Sequence, residues 1–367
     1  MEIKTNKKEI LDSLLIIQNF ISTSTTLPLL SNILFEADNE YLYLMATDMD
    51  ISAKVKCKLS KIEKEGKTTI PKKIIPLIKE LPDAEISFIA DKNDNIKIQC
   101  LKSSYKIPGL PADDFPVLQL DDKKLETMNI SQKMLRDIIN LTAYSALKDT
   151  AKRNLNGLFF KFEEKILEVV GTDAHRLAYV KKTMKEPVKT KFEYIIPLKT
   201  INEISKIITD DEKEITINFY PKLIEFKLEN IEIVSRIIDE NYPNYNQVIP
   251  KEFNMSAIVN KEELHSSLRR AVTISSDKAK IVSFKFEKNK LYINAQAQDE
   301  GEAFEEMDIK YDNEPIEVSY NAIYITEVLK AISQNEIEIK LISSMNPGLI
   351  KPVDDNDFVY IIMPIRK

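Results

Sequence analysis

The chain repeats itself three times, and that constrains its fold more than any single motif. Three amphipathic helices each open a long stretch of strands. The first carries Ile10, Leu14, Ile17 and Ile21 at helical spacing, the second Met134, Ile138 and Leu141, the third Leu264, Leu268 and Ala271. A strand pair follows each helix, with Leu42-Tyr43-Leu44, Leu167-Glu168-Val169 and Leu291-Tyr292-Ile293 at intervals of 125 and 124 residues. A second helix then starts after Ile70-Pro71, after Ile196-Pro197 and near Tyr320-Asn321. The first two repeats close alike, in Asp114-Phe115-Pro116 and Asn241-Tyr242-Pro243. These landmarks predict an α+β chain of three tandem copies, at about 1–126, 127–252 and 253–367. Each copy has two helices against about eight strands of mostly antiparallel sheet.

Composition removes several classes of function. Only six Gly among 367 residues leave little for phosphate-cradling loops, and Gly66-Lys67-Thr68 has Lys61 where a phosphate loop needs Gly. Two His and two Cys, with no C-x-x-C and no His pair at i, i+4, argue against a zinc site, so neither metal nor cofactor is expected. Asp354, Asp355 and Asp357 read as a solvated turn. Cys57 and Cys100 fall on the apolar faces of strands and read as buried, reduced thiols, which points to the cytoplasm. No apolar stretch approaches the roughly 18 residues of a membrane span, so no membrane partner is expected.

The net charge of −6 conceals an asymmetry. The six helical segments, taken as 6–20, 72–80, 131–148, 198–208, 260–271 and 321–333, hold 14 Lys and Arg against 8 acids. The helices therefore carry +6 and the rest of the chain −12. Basic helices on an acidic body suit a sheath around a polyanion.

The most enzyme-like segment is Gly171-Thr172-Asp173-Ala174-His175-Arg176-Leu177. A hydrolase centred on Asp173 and His175 is one reading, but no nucleophile motif or anion loop accompanies it. The first repeat has Ala46-Thr47-Asp48-Met49-Asp50 at the same place, so the Thr-Asp part reads as a polar turn. A three-domain scaffold protein that encloses no polyanion is a second alternative.

Over its whole length the chain resembles the bacterial DNA polymerase III beta subunits, the DNA sliding clamps. The resemblance rests on Leu27-Pro28-Leu29-Leu30-Ser31-Asn32-Ile33-Leu34, Ala46-Thr47-Asp48, Leu110-Pro111-Ala112-Asp113-Asp114-Phe115-Pro116, Leu155-Asn156-Gly157, Thr172 to Ala178, and Met363-Pro364-Ile365-Arg366. It implies a head-to-tail homodimer forming a six-domain ring whose helices surround duplex DNA without reading its sequence, and it implies no catalytic site. It also implies a pocket for linear peptides of the polymerase III alpha subunit, the clamp loader and other proteins with clamp-binding motifs. Matched to this sequence, the pocket wall is Leu155, Thr172, Ala174, His175, Arg176 and Leu177, then Pro243, Val248 and Tyr324, then Ile361, Met363, Pro364 and Arg366. His175 and Arg176 would fix the peptide's polar groups. The cations expected toward DNA are Lys7, Lys72, Lys133, Arg136, Lys148, Lys199, Lys206, Arg269 and Arg270. The dimer seam would set Lys73, Tyr105 and Ile107 against Thr273 and Ile274, with Tyr105 and Ile107 both pointing outward from one strand face.

Overall fold

A computed structural model describes residues 1–22, 26–38, 40–120, 123–149, 151–189, 191–274, 280–297 and 301–365. The first repeat holds β1 (Glu2–Asn6), α1 (Lys7–Ile17), β2 (Asn32–Asp38), β3 (Tyr41–Thr47), β4 (Ile51–Lys58), β5 (Lys61–Lys64), β6 (Gly66–Pro71), α2 (Ile74–Glu80), β7 (Glu85–Ala90), β8 (Asn95–Cys100) and β9 (Ser103–Pro108). The second holds β10 (Glu126–Ser131), α3 (Gln132–Thr142), β11 (Gly157–Glu163), β12 (Ile166–Thr172), β13 (Arg176–Thr183), β14 (Phe192–Pro197), α4 (Leu198–Ile207), β15 (Glu214–Phe219), β16 (Leu223–Lys227) and β17 (Ile231–Arg236). The third holds β18 (Met255–Asn260), α5 (Lys261–Ile274), β19 (Ile281–Glu287), β20 (Lys290–Ala297), β21 (Gly301–Asp308), β22 (Ile316–Asn321), α6 (Ala322–Ala331), β23 (Glu336–Leu341), β24 (Gly348–Pro352) and β25 (Phe358–Ile362). Two helices recur in each repeat in the same order among the strands, with β5 the one addition in the first.

The apolar patterns account for these elements. Ile10, Leu14 and Ile17 are buried on α1, and Leu264, Leu268 and Ala271 on α5. On β4 the alternation buries Ile51, Ala53, Val55 and Cys57 and leaves Lys54 and Lys56 half-buried. Both cysteines are buried and unpaired.

The chain forms two compact units that cut across the repeats. The first comprises residues 1–133 and 206–237, the second 134–205 and 238–367. The first unit contains a five-stranded sheet, β5-β1-β7-β8-β9, and an eight-stranded sheet, β10-β15-β16-β17-β4-β3-β2-β6. The second contains an eight-stranded sheet, β14-β11-β12-β13-β25-β24-β23-β18, and a four-stranded sheet, β21-β20-β19-β22. All paired neighbours are antiparallel. Each eight-stranded sheet is joined across a repeat boundary by one pairing. β4 meets β17 from Ile51 with Ser235 to Val55 with Ile231. β13 meets β25 from Arg176 with Ile362 to Val180 with Phe358.

Candidate functional site

In the second unit, β12 ends at Thr172 and β13 begins at Arg176, with Thr172 still paired to Leu177. The turn between them is tied by its own polar side chains. Thr172 Oγ1 donates to the Arg176 carbonyl at 2.5 Å and accepts from the Ala174 amide at 3.2 Å. Asp173 Oδ1 accepts from the His175 and Arg176 amides at 2.9 and 3.0 Å. Ala174 sits at φ +74°, the left-handed conformation that lets the chain reverse in so few residues.

Arg176, only 6% exposed, is held by this turn from the other side. Its Nε donates to Asp173 Oδ2 at 3.0 Å, Nη1 to the Glu327 carboxylate, and Nη2 to the Tyr144 carbonyl at 2.6 Å. The guanidinium lies 4.2 Å from the centre of the Tyr324 ring. A buried cation needs such compensation. These bonds use three of the five N–H donors of the guanidinium and fix its orientation.

Beside this turn lies a cleft of about 310 Å³. Of the residues expected in its wall, Leu155, Thr172, Ala174, Arg176, Leu177, Pro243, Val248, Ile361 and Met363 line it. His175, Tyr324 and Pro364 do not. The exposed His175 acts through its carbonyl, which accepts from the Met363 amide at 2.9 Å and so carries the chain beyond β25 along the cleft. Tyr324 lies beneath Arg176. Pro364 is half-buried between Met363 and Ile365, whose amide donates to the Ser319 carbonyl at 2.8 Å. Arg366 lies outside the described residues.

Sequence reasoning missed Lys152, Asn154, Asn244 and Tyr245, which also line the cleft. Tyr245 is fixed by its hydroxyl, which donates to Glu168 at 3.2 Å, while Glu168 also binds Lys161 at 2.5 Å and Tyr179 at 2.6 Å. The second aromatic of Tyr242-Pro243-Asn244-Tyr245 was the available signal. Among the described residues the lining is mostly apolar, its charged residues are Lys152 and Arg176, and it contains no carboxylate. It therefore suits an extended ligand with apolar anchors and acceptor groups.

The DNA polymerase III beta subunit family matches the chain in three consecutive segments. Its N-terminal domain covers residues 1–119, its central domain 129–244 and its C-terminal domain 246–366. The chain belongs to this family. The beta sliding clamp of Haemophilus influenzae is 27% identical over 368 residues, spanning all of both chains. The solved DNA polymerase III subunit beta of Pseudomonas aeruginosa superposes with a TM-score of 0.95 at 25% identity over the full length of both. The beta subunit of Thermotoga maritima gives 0.92 at 26% identity, covering 100% of this chain and 99% of its own.

For a sliding-clamp chain, the helix cations and the sheet edges are the other surfaces of interest. Lys133, Lys199, Lys206, Arg269 and Arg270 are exposed on helices, and Arg136 is half-exposed on α3. Lys72 and Lys148, expected on helices, lie outside them: Lys72 in the turn before α2, Lys148 after the 3-10 turn Ala143–Ser145. Lys7 is half-buried and donates to the carbonyls of Lys79 and Leu81. Arg270 is engaged by Glu305 at 2.8 and 2.5 Å. At the edges, β9 ends the five-stranded sheet and β21 the four-stranded one. Tyr105 on β9 is 36% exposed, but Ile107, also expected to point outward, is 6% exposed. The two share a strand face, Tyr105 opposite Ile98 and Ile107 opposite Ile96, both fully buried. Lys73 is exposed just before α2, and Thr273 and Ile274 close α5, which packs on β20 and β21. No helix among the described residues is long and apolar enough to cross a membrane.

Proposed function

We propose that this chain is a DNA sliding clamp, a processivity factor that encircles duplex DNA and tethers the replicative polymerase. Two copies join head to tail into a ring of six domains, with domains at about 1–126, 127–252 and 253–367 in each. The edge strands β9 and β21 support this seam, because an edge leaves backbone groups open to another strand. Tyr105 on one copy and Ile274 on the other are its candidate contacts, and Lys73 and Thr273 flank them. Ring closure holds DNA by topology, so the grip from cations such as Arg136, Lys199 and Arg269 can be weak and blind to sequence. The protein performs no catalysis and needs no metal or cofactor. It works in the cytoplasm.

The observation that carries this reading is the cleft beside the Thr172–Leu177 turn, on a chain matched throughout by the clamp family. A peptide of the polymerase III alpha subunit, the clamp loader or another partner sets Leu or Phe against Leu177, Pro243, Val248 and Met363. Lys152 and Asn154 meet its acceptor groups at the rim. Loading with a clamp loader and ATP onto nicked circular DNA, followed by gel filtration, tests the proposal. Co-elution with the circle and release on linearisation are expected. Equal retention on linear DNA overturns the topological grip, and a monomeric native mass overturns the ring.

A further inference from the structure

The turn beside the cleft occurs a second time, in the first unit. There β3 and β4 are joined through Thr47-Asp48-Met49-Asp50, and the hydrogen bonds repeat one for one. Thr47 Oγ1 donates to the Ile51 carbonyl and accepts from the Met49 amide, both at 3.0 Å. Asp48 Oδ1 accepts from the Asp50 and Ile51 amides at 3.0 and 2.9 Å. Met49 has φ +79°, beside +74° for Ala174. The strand pairings repeat as well. Ser52 faces Val234 as Leu177 faces Ile361, and Val234 faces Glu225 as Ile361 faces Leu349.

A cleft of about 230 Å³ opens at this equivalent place. Phe115, Pro116 and Val117 form one wall, where Pro243, Asn244 and Tyr245 wall the other cleft. The sheet side differs between the two. Ser52 stands where Leu177 lines the other cleft, while Lys54, Glu225 and Glu232, which line this one, stand where Tyr179, Leu349 and Val359 belong to an apolar cluster with Leu177 and Ile361. Among the described residues, the cleft in the second unit is lined by two cations and no carboxylate, whereas this one is lined by two carboxylates and one cation. That cation, Lys54, rests 4.2 Å from the centre of the Tyr43 ring. Glu225 is 2% exposed and is oriented by the Asn218 amide at 2.8 Å and the Tyr220 hydroxyl at 3.4 Å. Lys227 reaches it from the more exposed side at 3.3 Å. Glu232 is exposed.

We propose that this cleft is a second docking site on the same chain, for an extended partner segment that carries a basic side chain next to an apolar one. The apolar side chain enters between Met45, Phe115 and Val117, and the Arg or Lys is drawn to Glu232 and toward Glu225. Complementary charge selects the segment, since the register that sets Leu349 and Val359 in the second unit sets the carboxylates Glu225 and Glu232 at this cleft. The proposal does not depend on the ring or on DNA.

Two fluorescein-labelled hexapeptides, Gly-Ser-Arg-Leu-Phe-Gly and Gly-Ser-Glu-Leu-Phe-Gly, titrated by anisotropy against the full-length chain at low salt, test this. Two exposed positions supply the variants, Glu232→Lys for this cleft and Lys152→Glu for the other, each checked for unchanged thermal unfolding. Saturable binding of the Arg peptide is expected, at least about fivefold weaker in Glu232→Lys and within twofold of the parent in Lys152→Glu. The Glu peptide should show the reverse dependence. Absence of saturable Arg-peptide binding overturns the proposal. So does binding that answers to Lys152→Glu and not to Glu232→Lys. Binding that falls as the chain self-associates assigns the cleft to a second copy and equally overturns it.

Discussion

Arg176 and Glu327 stand 151 positions apart in the sequence and share one ion pair, the guanidinium Nη1 donating to the carboxylate. Through this pair the turn at the cleft is fastened to α6. Glu327→Ala leaves a buried guanidinium with two of its three partners. Because Glu327 is itself partly exposed, the cost should fall below that of a fully buried pair, at about 2 kcal/mol, and Glu327→Gln should cost about 1 kcal/mol or less. Urea denaturation measures both. Equal, negligible losses would mean that the pair adds nothing to the fold.

Glu168 gathers Lys161, Tyr179 and Tyr245 around one carboxylate. Burial pushes its pKa up, but the Lys161 and Tyr179 hydrogen bonds outweigh it and hold the pKa below the ordinary Glu value. A depressed folded pKa stabilises the protein above the unfolded pKa of about 4.3, and that contribution disappears as pH falls through the folded value. Glu168→Gln should therefore be less stable than the parent at neutral pH, with the gap closing on acidification below about pH 4. A gap that is constant from neutral pH into that range would show that the carboxylate's charge is not what matters.

Ala174 and Met49 hold left-handed conformations that cost an L-residue about 1 kcal/mol. Glycine removes that strain and gives back part of the gain through the entropy of the unfolded chain. Ala174→Gly and Met49→Gly should each stabilise by about 0.5 kcal/mol, whereas Ala174→Val should destabilise by more than about 1 kcal/mol. Thermal melts decide this, and a stable Ala174→Val would contradict the backbone assignment.

Removing residues 363–367 takes away the Met363 wall together with the amide that donates to the His175 carbonyl. Affinity for a clamp-binding peptide should fall more than about tenfold, as expected when a hydrophobic anchor contact is lost. Dimerisation should persist, because the proposed seam lies at β9 and β21. Undiminished affinity in a folded, dimeric truncation would rule out this cleft as the peptide site.

Charge reversal of Arg136 and Lys199 together should reduce the slope of DNA affinity against salt by about 2, following counterion release. Arg270→Ala should change it by less than about 1, since Glu305 already offsets that guanidinium. An unchanged slope in the double reversal would place those helices away from the duplex.

Local periodicity carried much of the fold. The burial of Ile10, Leu14 and Ile17 on α1, and the alternation along β4, follow from spacing alone. The pairing of β4 with β17 left no such trace, because an edge strand and an internal strand share one period and the partner lies far along the chain. The site divides in the same way. Leu177, Ile361 and Met363 follow from a motif and a strand period, whereas Lys152 and Asn154 enter the cleft through an irregular segment around the short 3-10 turn Arg153–Leu155. The motif also marked His175 and Arg176 without showing what they do. Only the fold reveals that one contributes a carbonyl and that the guanidinium of the other is fixed by three hydrogen bonds within the protein.

The junction of β4 with β17 also sets a timetable for synthesis. β4 is complete at Lys58, yet its partner begins at Ile231. At translation rates of about 5–20 residues per second, the intervening segment takes roughly ten to thirty seconds to emerge. Throughout that interval the nascent chain carries an unpaired strand edge backed by Ile51, Ala53, Val55 and Cys57. An open edge of this kind recruits other strands, so the ribosome-bound half-chain is the stage at which this protein most needs a chaperone.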